Sequence, residues 1–345
     1  MSKRKPTMAD LAHELGVSTA TVSRALKDYP DISTETKERV LKLAKAWNYR
    51  PNALAASLRK QESNTLGVLV PQIVNHFFSS VIKGIVDEAY DCGYRVILCQ
   101  SDEATAKEAA NADALLDSQV DGVLASVAHE AAHFDHFQMF VEEEVPVVFF
   151  DKIPQGFNNC SKVIVDDLEG ASRAVEHLLD QGCERIAHIG GPFQAYTAAQ
   201  RLEGYKKALS AAGKAVDTAY IRECADVTID EGETFAKELM AMSEPPDGLF
   251  CVTDSVALGA MRAFKTAGWR IPHDIAIVGF SDWEMNTLVE PPLSSVAQPG
   301  YQMGKIAAKQ LILEIKALKD ELRVEYQVRQ LPTTLKIRAS SKKSA

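Results

Sequence analysis

The 345-residue sequence has no apolar run approaching the ~20 residues that cross a bilayer, so no membrane span is expected. Its six cysteines, Cys92, Cys99, Cys160, Cys183, Cys224 and Cys251, stand singly, with no Cys-x-x-Cys pair. That scatter argues against a disulfide frame or a cysteine metal site and reads as reduced, mostly buried thiols. Three catalytic or phosphate-holding signatures are missing as well. The chain has no G-x-x-x-x-G-K-[ST] loop, no G-x-G-x-x-G after its first strand and no G-x-S-x-G elbow. Nucleotide-driven enzymes and serine hydrolases built on such loops are set aside. The basic start, Met1 to Lys5, is followed by no apolar signal core, so a cytoplasmic protein is expected.

One motif of an enzyme is present. His129-Glu130-Ala131-Ala132-His133 spells H-E-x-x-H, which on a helix gives two zinc ligands and a general base, with His136 as a possible third ligand. It directly follows a strand, however, and no Gly-x-x-His continuation appears. A solvated helix start, with His136 packed by Phe134 and Phe137, is the expected structure. Neither an enzyme nor a cofactor or metal site is expected.

Charge is unevenly spread. Of 38 Lys+Arg and 47 Asp+Glu, residues 1–60 hold 12 and 6, a net of +6, and the rest hold 26 and 41, a net of −15. A basic head on an acidic body suits phosphate contact by the head alone. The head reads as helices. Thr7 can cap a first helix, with Asp10 in a capping-box position and Met8, Leu11, Ala12 and Leu15 at helical spacing. Gly16 ends it, Ser18 caps a second helix, and Val22, Ala25 and Leu26 can face Leu11 and Leu15. This is a helix-turn-helix. Thr19, Ala20 and Ser23 are short enough for close approach to base edges, and Arg24 can donate two hydrogen bonds to guanine. With Thr7, Ser18 and Thr21 they form the expected DNA-binding set. A third helix, capped at Ser33, is expected to bury Val40, Leu41, Ala44 and Trp47, with Trp47 supplying much of the core.

VSTATVSRAL in this head, followed by YRPNALAASLR, resembles the lactose-repressor and galactose-repressor family of bacterial transcription regulators. The resemblance extends over essentially the whole chain. It implies a hinge helix that forms only on operator DNA, with Asn52, Ala55, Leu58 and Arg59 at the DNA and Leu58 wedged between central base pairs in the minor groove. The expected divisions are a headpiece at 1–50, a hinge helix and linker at 51–63, and a ligand-binding and dimerisation body at 64–345.

The body alternates short apolar strands with amphipathic helices, the pattern of a parallel sheet covered on both faces. Leu66 to Pro71, Arg95 to Cys99, Gly122 to Ser126 and Val147 to Asp151 give a first lobe. The pattern restarts with Val163 to Val165, Ile186 to Ile189, Gly248 to Val252 and Ile275 to Gly279 as a second. The expected fold class is therefore an α/β body of two doubly wound parallel-sheet lobes, with an all-α helix-turn-helix domain before it. The resemblance implies a periplasmic-binding-protein-like body in which the chain crosses back between lobes after Pro291-Pro292.

Two such sheets place their carboxyl strand ends around one cleft. Asp151 and Thr253 end strands and are candidates there. By the resemblance, Asn75, Phe77 and Phe78 match a ligand-contacting loop, although core filling accounts for both aromatics too. Gly190-Gly-Pro and Arg201-Leu-Glu-Gly match the segment that carries an effector-binding arginine, and Asp282 falls one place after the aspartate many relatives use. Ala195 stands where purine-responsive relatives have a cation, so a sugar or sugar phosphate is the implied effector. The implied partners are pseudo-palindromic double-stranded operator DNA, that small molecule and a second copy of the chain, with no membrane. The polar tail, Ala339 to Ala345, has no leucine heptads for a tetramer.

Overall fold

The computed structural model describes residues 6–49, 63–129 and 133–343. Contacts divide the chain into Met1–Ser63 and Asn64–Ala345. Asn52, Ala55, Leu58 and Arg59 of the expected hinge, and Glu130 of the H-E-x-x-H motif, lie outside the described residues.

The head comprises α1 (Met8–Leu15), α2 (Thr19–Leu26) and α3 (Thr34–Ala46). Thr7 and Asp10 form a reciprocal capping box, so two amide groups that α1 could not satisfy within itself are paired. Gly16 closes α1 at φ 65°, a left-handed conformation that costs glycine nothing. The core is Leu11, Ala12, Val22, Ala25, Val40 and Ala44. Trp47 and Leu41 do not join it. Leu41 is 53% exposed, since it lies about 100° around α3 from the buried Val40. Trp47, 36% exposed, caps α3 outside its last turn, and Tyr49 packs on the core instead.

In the body, β1 (Thr65–Val70), α4 (His76–Asp91), β2 (Arg95–Gln100), α5 (Thr105–Asp117), β3 (Gly122–Ala125), α6 (Asp135–Glu142), β4 (Val147–Phe150) and β5 (Ser161–Val165) follow in order. The second series is α7 (Asp167–Asp180), β6 (Ile186–Gly190), α8 (Tyr196–Ala211), β7 (Ile221–Glu223), α9 (Ile229–Met240), β8 (Gly248–Cys251), α10 (Asp254–Thr266), β9 (Ala276–Ser281) and β10 (Ser294–Ala297). The chain ends with α11 (Gly300–Lys319), β11 (Val328–Leu331) and β12 (Thr334–Lys336). The first sheet has the order β11-β5-β4-β3-β1-β2 and the second β12-β10-β9-β8-β6-β7. All pairs are parallel except β10 with β12. Strands β1, β3 and β4 are buried throughout, which matches their unbroken apolar runs.

Val163 to Val165, expected to open the second lobe, pairs with β4 in the first sheet. Strand β5 is thus the first crossing segment: α7 after it packs on the second sheet. The chain returns after β10, because α11 lies against α4, β3, β4 and β5, and crosses a third time between β11 and β12. Helices α4 and α11 meet closely. A Cβ on Gly84 would lie 2.1 Å from the Tyr301 carbonyl oxygen, and one on Gly304 would lie 2.0 Å from that of Val81, so only glycine fits at either place. Strands β7 and β10 were not legible as apolar runs. The first has three residues, and the second buries Ser294 and Ser295 through hydrogen bonds to Ser340, Arg338 and Asp254.

Candidate functional site

The carboxyl ends of both sheets meet at a cleft whose central cavity measures about 140 Å³. Asn75, Phe77, Phe78, Asp151, Arg201 and Thr253 all line it, which brings six of the seven expected cleft residues together. The seventh is elsewhere: Asp282 accepts a 2.6 Å hydrogen bond from Arg338, and its neighbour Ser281 supplies the wall at that loop.

Arg201 is 5% exposed on α8. Its Nε and Nη2 reach Asp167 Oδ1 at 2.8 and 2.7 Å, its Nη1 donates to the Val252 carbonyl at 2.8 Å, and its guanidinium carbon lies 3.8 Å from the Phe280 ring centroid. Three of five N–H groups are thus used, leaving one on each terminal nitrogen to hold a ligand. Burial raises the Asp167 carboxyl, against the pull of Arg201, and its Oδ2 has no hydrogen-bond partner among the described residues. Asp151, at the end of β4, adopts φ 58° and is 5% exposed. Burial and then the nearby Asp167 push its pKa up to about 7, so it titrates near neutrality.

Helix starts supply the rest. Asn75 caps α4 by accepting from the Phe77 amide at 3.0 Å, which fixes the loop carrying the aromatics. Phe77 and Phe78, edge to face at 5.5 Å, belong to both the core and the cavity wall, so neither of the two readings open from sequence excludes the other. Thr253 caps α10, while Ala195 leaves α8 without a side-chain cap. Behind Thr253, burial raises Asp254 to about 6, and its carboxylate accepts from Ser295 at 2.6 Å and from the Trp283 amide at 2.7 Å.

The wall also holds residues that the sequence reading missed: Glu103, His129, Lys152 and Gln298. Lys152 and His129 follow strand ends and could have been found on that ground; Gln298, on the β10 crossing, could not. Of the H-E-x-x-H motif, Glu130, Ala131 and Ala132 lie outside the described residues; the His129 side chain, expected at a solvated helix start, is only 8% exposed, while His136 packs on Phe137 as expected. His129 Nδ1 lies 2.9 Å from Glu103, and His136 Nε2 lies 2.8 Å from the buried Glu108 and 4.4 Å from the Phe137 ring centroid. No three-residue metal-binding cluster of His, Cys, Asp or Glu occurs among the described residues.

On the head, Thr19, Ala20 and Arg24 are exposed at the outer face of α2, with Ser23 half-buried. The Ser18 hydroxyl caps α2 through the Thr21 amide at 3.0 Å and meets the Thr21 hydroxyl at 2.9 Å, while Thr7 is engaged by Asp10. Arg24 is not idle: it pairs with Asp31 at 2.5 Å and lies 5.5 Å from the Tyr29 ring centroid.

A helix-turn-helix head and a two-lobed body with a polar interlobe cavity define a class, the ligand-responsive DNA-binding regulators. Comparison with known proteins narrows it. Residues 7–52 match the family described as bacterial regulatory proteins, lacI family, and residues 175–341 match the periplasmic binding protein-like domain. The chain is 36% identical to the ribose operon repressor of Halalkalibacterium halodurans over 97% of both chains. It is 34% identical to catabolite control protein A of Priestia megaterium, over 97% of this chain and 99% of the other. Among solved structures, the lac repressor dimer bound to operator and the anti-inducer ONPF superposes with a TM-score of 0.83 at 27% identity, covering 98% and 99% of the two chains. The chain belongs to the lacI family of bacterial regulatory proteins. It is a DNA-binding transcriptional repressor, not an enzyme, and no helix among its described residues is long and apolar enough to cross a membrane.

Proposed function

We propose that the chain acts in the cytoplasm as a homodimer whose two heads, residues 1–50, read the half-sites of a pseudo-palindromic operator. A hinge over 51–63 couples them to bodies, 64–345, that sense a small sugar. Two-fold symmetry in the protein matches two-fold symmetry in the site. Thr19, Ala20 and Ser23 approach base edges, and Arg24 exchanges Asp31 for guanine O6 and N7. Thr7, Ser18 and Thr21 hold the helix starts at the backbone, and Asn52, Ala55, Leu58 and Arg59 enter the minor groove.

The observation that carries the ligand half is that Arg201, from the second lobe, and Asp151, from the first, line one cavity. A sugar bridges them, its hydroxyl oxygens accepting from Arg201 and a hydroxyl proton going to Asp151. Asn75, Phe77, Phe78 and Thr253 complete the contact surface. Asp282 serves instead to hold the Ser281 loop through Arg338. D-Ribose is the first candidate, because the 36%-identical relative is a ribose operon repressor and a lacI-family regulator from Enterococcus faecium has been solved with bound ribose. Ligand bound to both walls changes the lobe arrangement and with it the population of operator-competent dimer.

Selection from a random duplex library with the ligand-free protein tests this. Enrichment of a two-fold symmetric sequence is the expected result. Salt-sensitive binding to every duplex, with nothing enriched, would sink the operator reading.

A further inference from the structure

The cavity contains a second ion cluster, on the first-lobe wall, formed by Glu103, His129 and Lys152. Glu103 adopts φ 61° in the loop after β2, which turns its carboxylate towards the ends of β3 and β4. There it is bonded to the Lys152 ammonium, to His129 Nδ1 at 2.9 Å and to the His129 amide at 3.0 Å. The three side chains are only 8–17% exposed. Burial favours the neutral acid, but the His129 hydrogen bond and the Lys152 charge outweigh it and hold Glu103 near about 2, so it is an anion throughout the neutral range.

The consequence is a charge balance. Among the described residues lining the cavity, two are permanent cations, and each faces a carboxylate in direct contact: Lys152 has Glu103, and Arg201 has Asp167. Asp151 and Asp226 line the same cavity as additional acids. A dianionic phosphate monoester brings acceptor oxygens only, and inorganic phosphate, although it keeps a P–OH donor near neutral pH, likewise brings one to two negative charges. The ester would set acceptors against Asp151, and either form would find no unneutralised cation among the described lining residues to answer its charge. The uncapped start of α8 and the remaining Arg201 hydrogens are donors, but a hydroxyl oxygen serves them equally. A sugar hydroxyl also has a proton to give to Asp151 or to the Nε2 of a His129 that donates from Nδ1, and it brings no charge.

We propose that Glu103 is a specificity-determining residue: by locking Lys152 and His129, it makes the cleft refuse phosphorylated ligands and admit uncharged polyols. This rests on the effector reading of the cleft and narrows it from sugar or sugar phosphate to the unphosphorylated form.

The test is calorimetric titration of the full-length protein with inorganic phosphate, D-ribose 5-phosphate and D-ribose. The wild type should show no saturable binding of either phosphate. Glu103→Gln, which keeps the size but removes the charge, should bind inorganic phosphate saturably, at least about tenfold more tightly than the weakest binding the wild-type titration would detect, as expected when one partly buried ammonium is uncovered. Adding Lys152→Met to that variant should abolish the gain, and Glu103→Asp should stay blind to phosphate. Saturable phosphate binding by the wild type overturns the proposal, and so does a Glu103→Gln protein that folds yet gains nothing. Should Glu103→Gln not fold, the wild-type phosphate titrations and the Glu103→Asp protein decide alone. Failure of D-ribose to bind counts against the ribose assignment and leaves the phosphate result standing.

Discussion

The head and the body hold their charged groups in opposite ways. On α2, Arg24 is half-exposed and paired with the similarly accessible Asp31 beside the Tyr29 ring. In the cleft, Arg201 is 5% exposed and fixed by a buried carboxylate, a backbone carbonyl and an aromatic face. On the proposed roles of Arg24 and Arg201, the difference follows from the partner. A duplex supplies its own dense charge and can displace a weak surface pair, which is worth about 0–1 kcal/mol. A small ligand supplies few contacts, so its site must be pre-oriented and desolvated before the ligand arrives.

Breaking the body's buried pair should have the largest effect. Arg201→Ala leaves Asp167 buried without its cation, at a cost of about 3–5 kcal/mol to the body, and removes the ligand response. Denaturant unfolding and ligand titration check both, and the head's own transition should not move. Leu11→Ala is the matching change in the head, where a fully buried side chain sits in a small core. It should lower the head's stability by about 2–5 kcal/mol and abolish duplex binding while ligand still binds the body. Arg24→Ala should cost about 1–3 kcal/mol of operator affinity and relax selectivity at one base pair per half-site, readable by repeating the duplex selection with the variant. A uniform loss on all duplexes would make Arg24 a phosphate contact.

The fourth prediction concerns protons. Asp151 has a folded-state pKa of about 7, raised above the unfolded value of about 3.9. The folded state therefore holds the extra proton between those values, and this group's contribution to stability falls as pH rises from about 4 to about 7. Asp151→Asn should flatten that slope. Ligand hydroxyls that donate to Asp151 favour its charged form, so affinity should rise through about pH 7 with proton release. Calorimetry in buffers of different ionisation enthalpy measures the release. The smallest effect is expected at Asp282, which lies outside the cavity lining: Asp282→Asn weakens its pair with Arg338 but should lower ligand affinity less than either change in the cleft.

The legible parts of the chain were those whose local pattern decides the structure. The Thr7–Asp10 capping box, Gly16 and the Ser18 cap depend on near neighbours and could be read directly. So could β1, β3 and β4, whose apolar runs leave no other solution. What failed was long-range. Nothing near Val163 says which sheet β5 joins, and the β10 serines are buried only because distant Ser340, Arg338 and Asp254 satisfy them. Trp47 misled because size suggested a core role while the helix ended one residue too early. In the cleft, strand-end logic found Asp151 and Thr253, and the resemblance found Arg201. Asp167, which orients Arg201 from 34 positions away in the chain, carries no local mark of that role.

Whether cleft and operator are coupled is decided by the affinity of the selected duplex with and without the cleft ligand, for wild type and Arg201→Ala. Coupling of this kind is typically worth 5- to 150-fold. A shift of at least about fivefold is expected in wild type, with the same factor in ligand affinity when duplex is added, and no shift in Arg201→Ala. A ligand that binds the wild-type cleft without altering duplex affinity, or a shift that survives Arg201→Ala, would contradict this coupling.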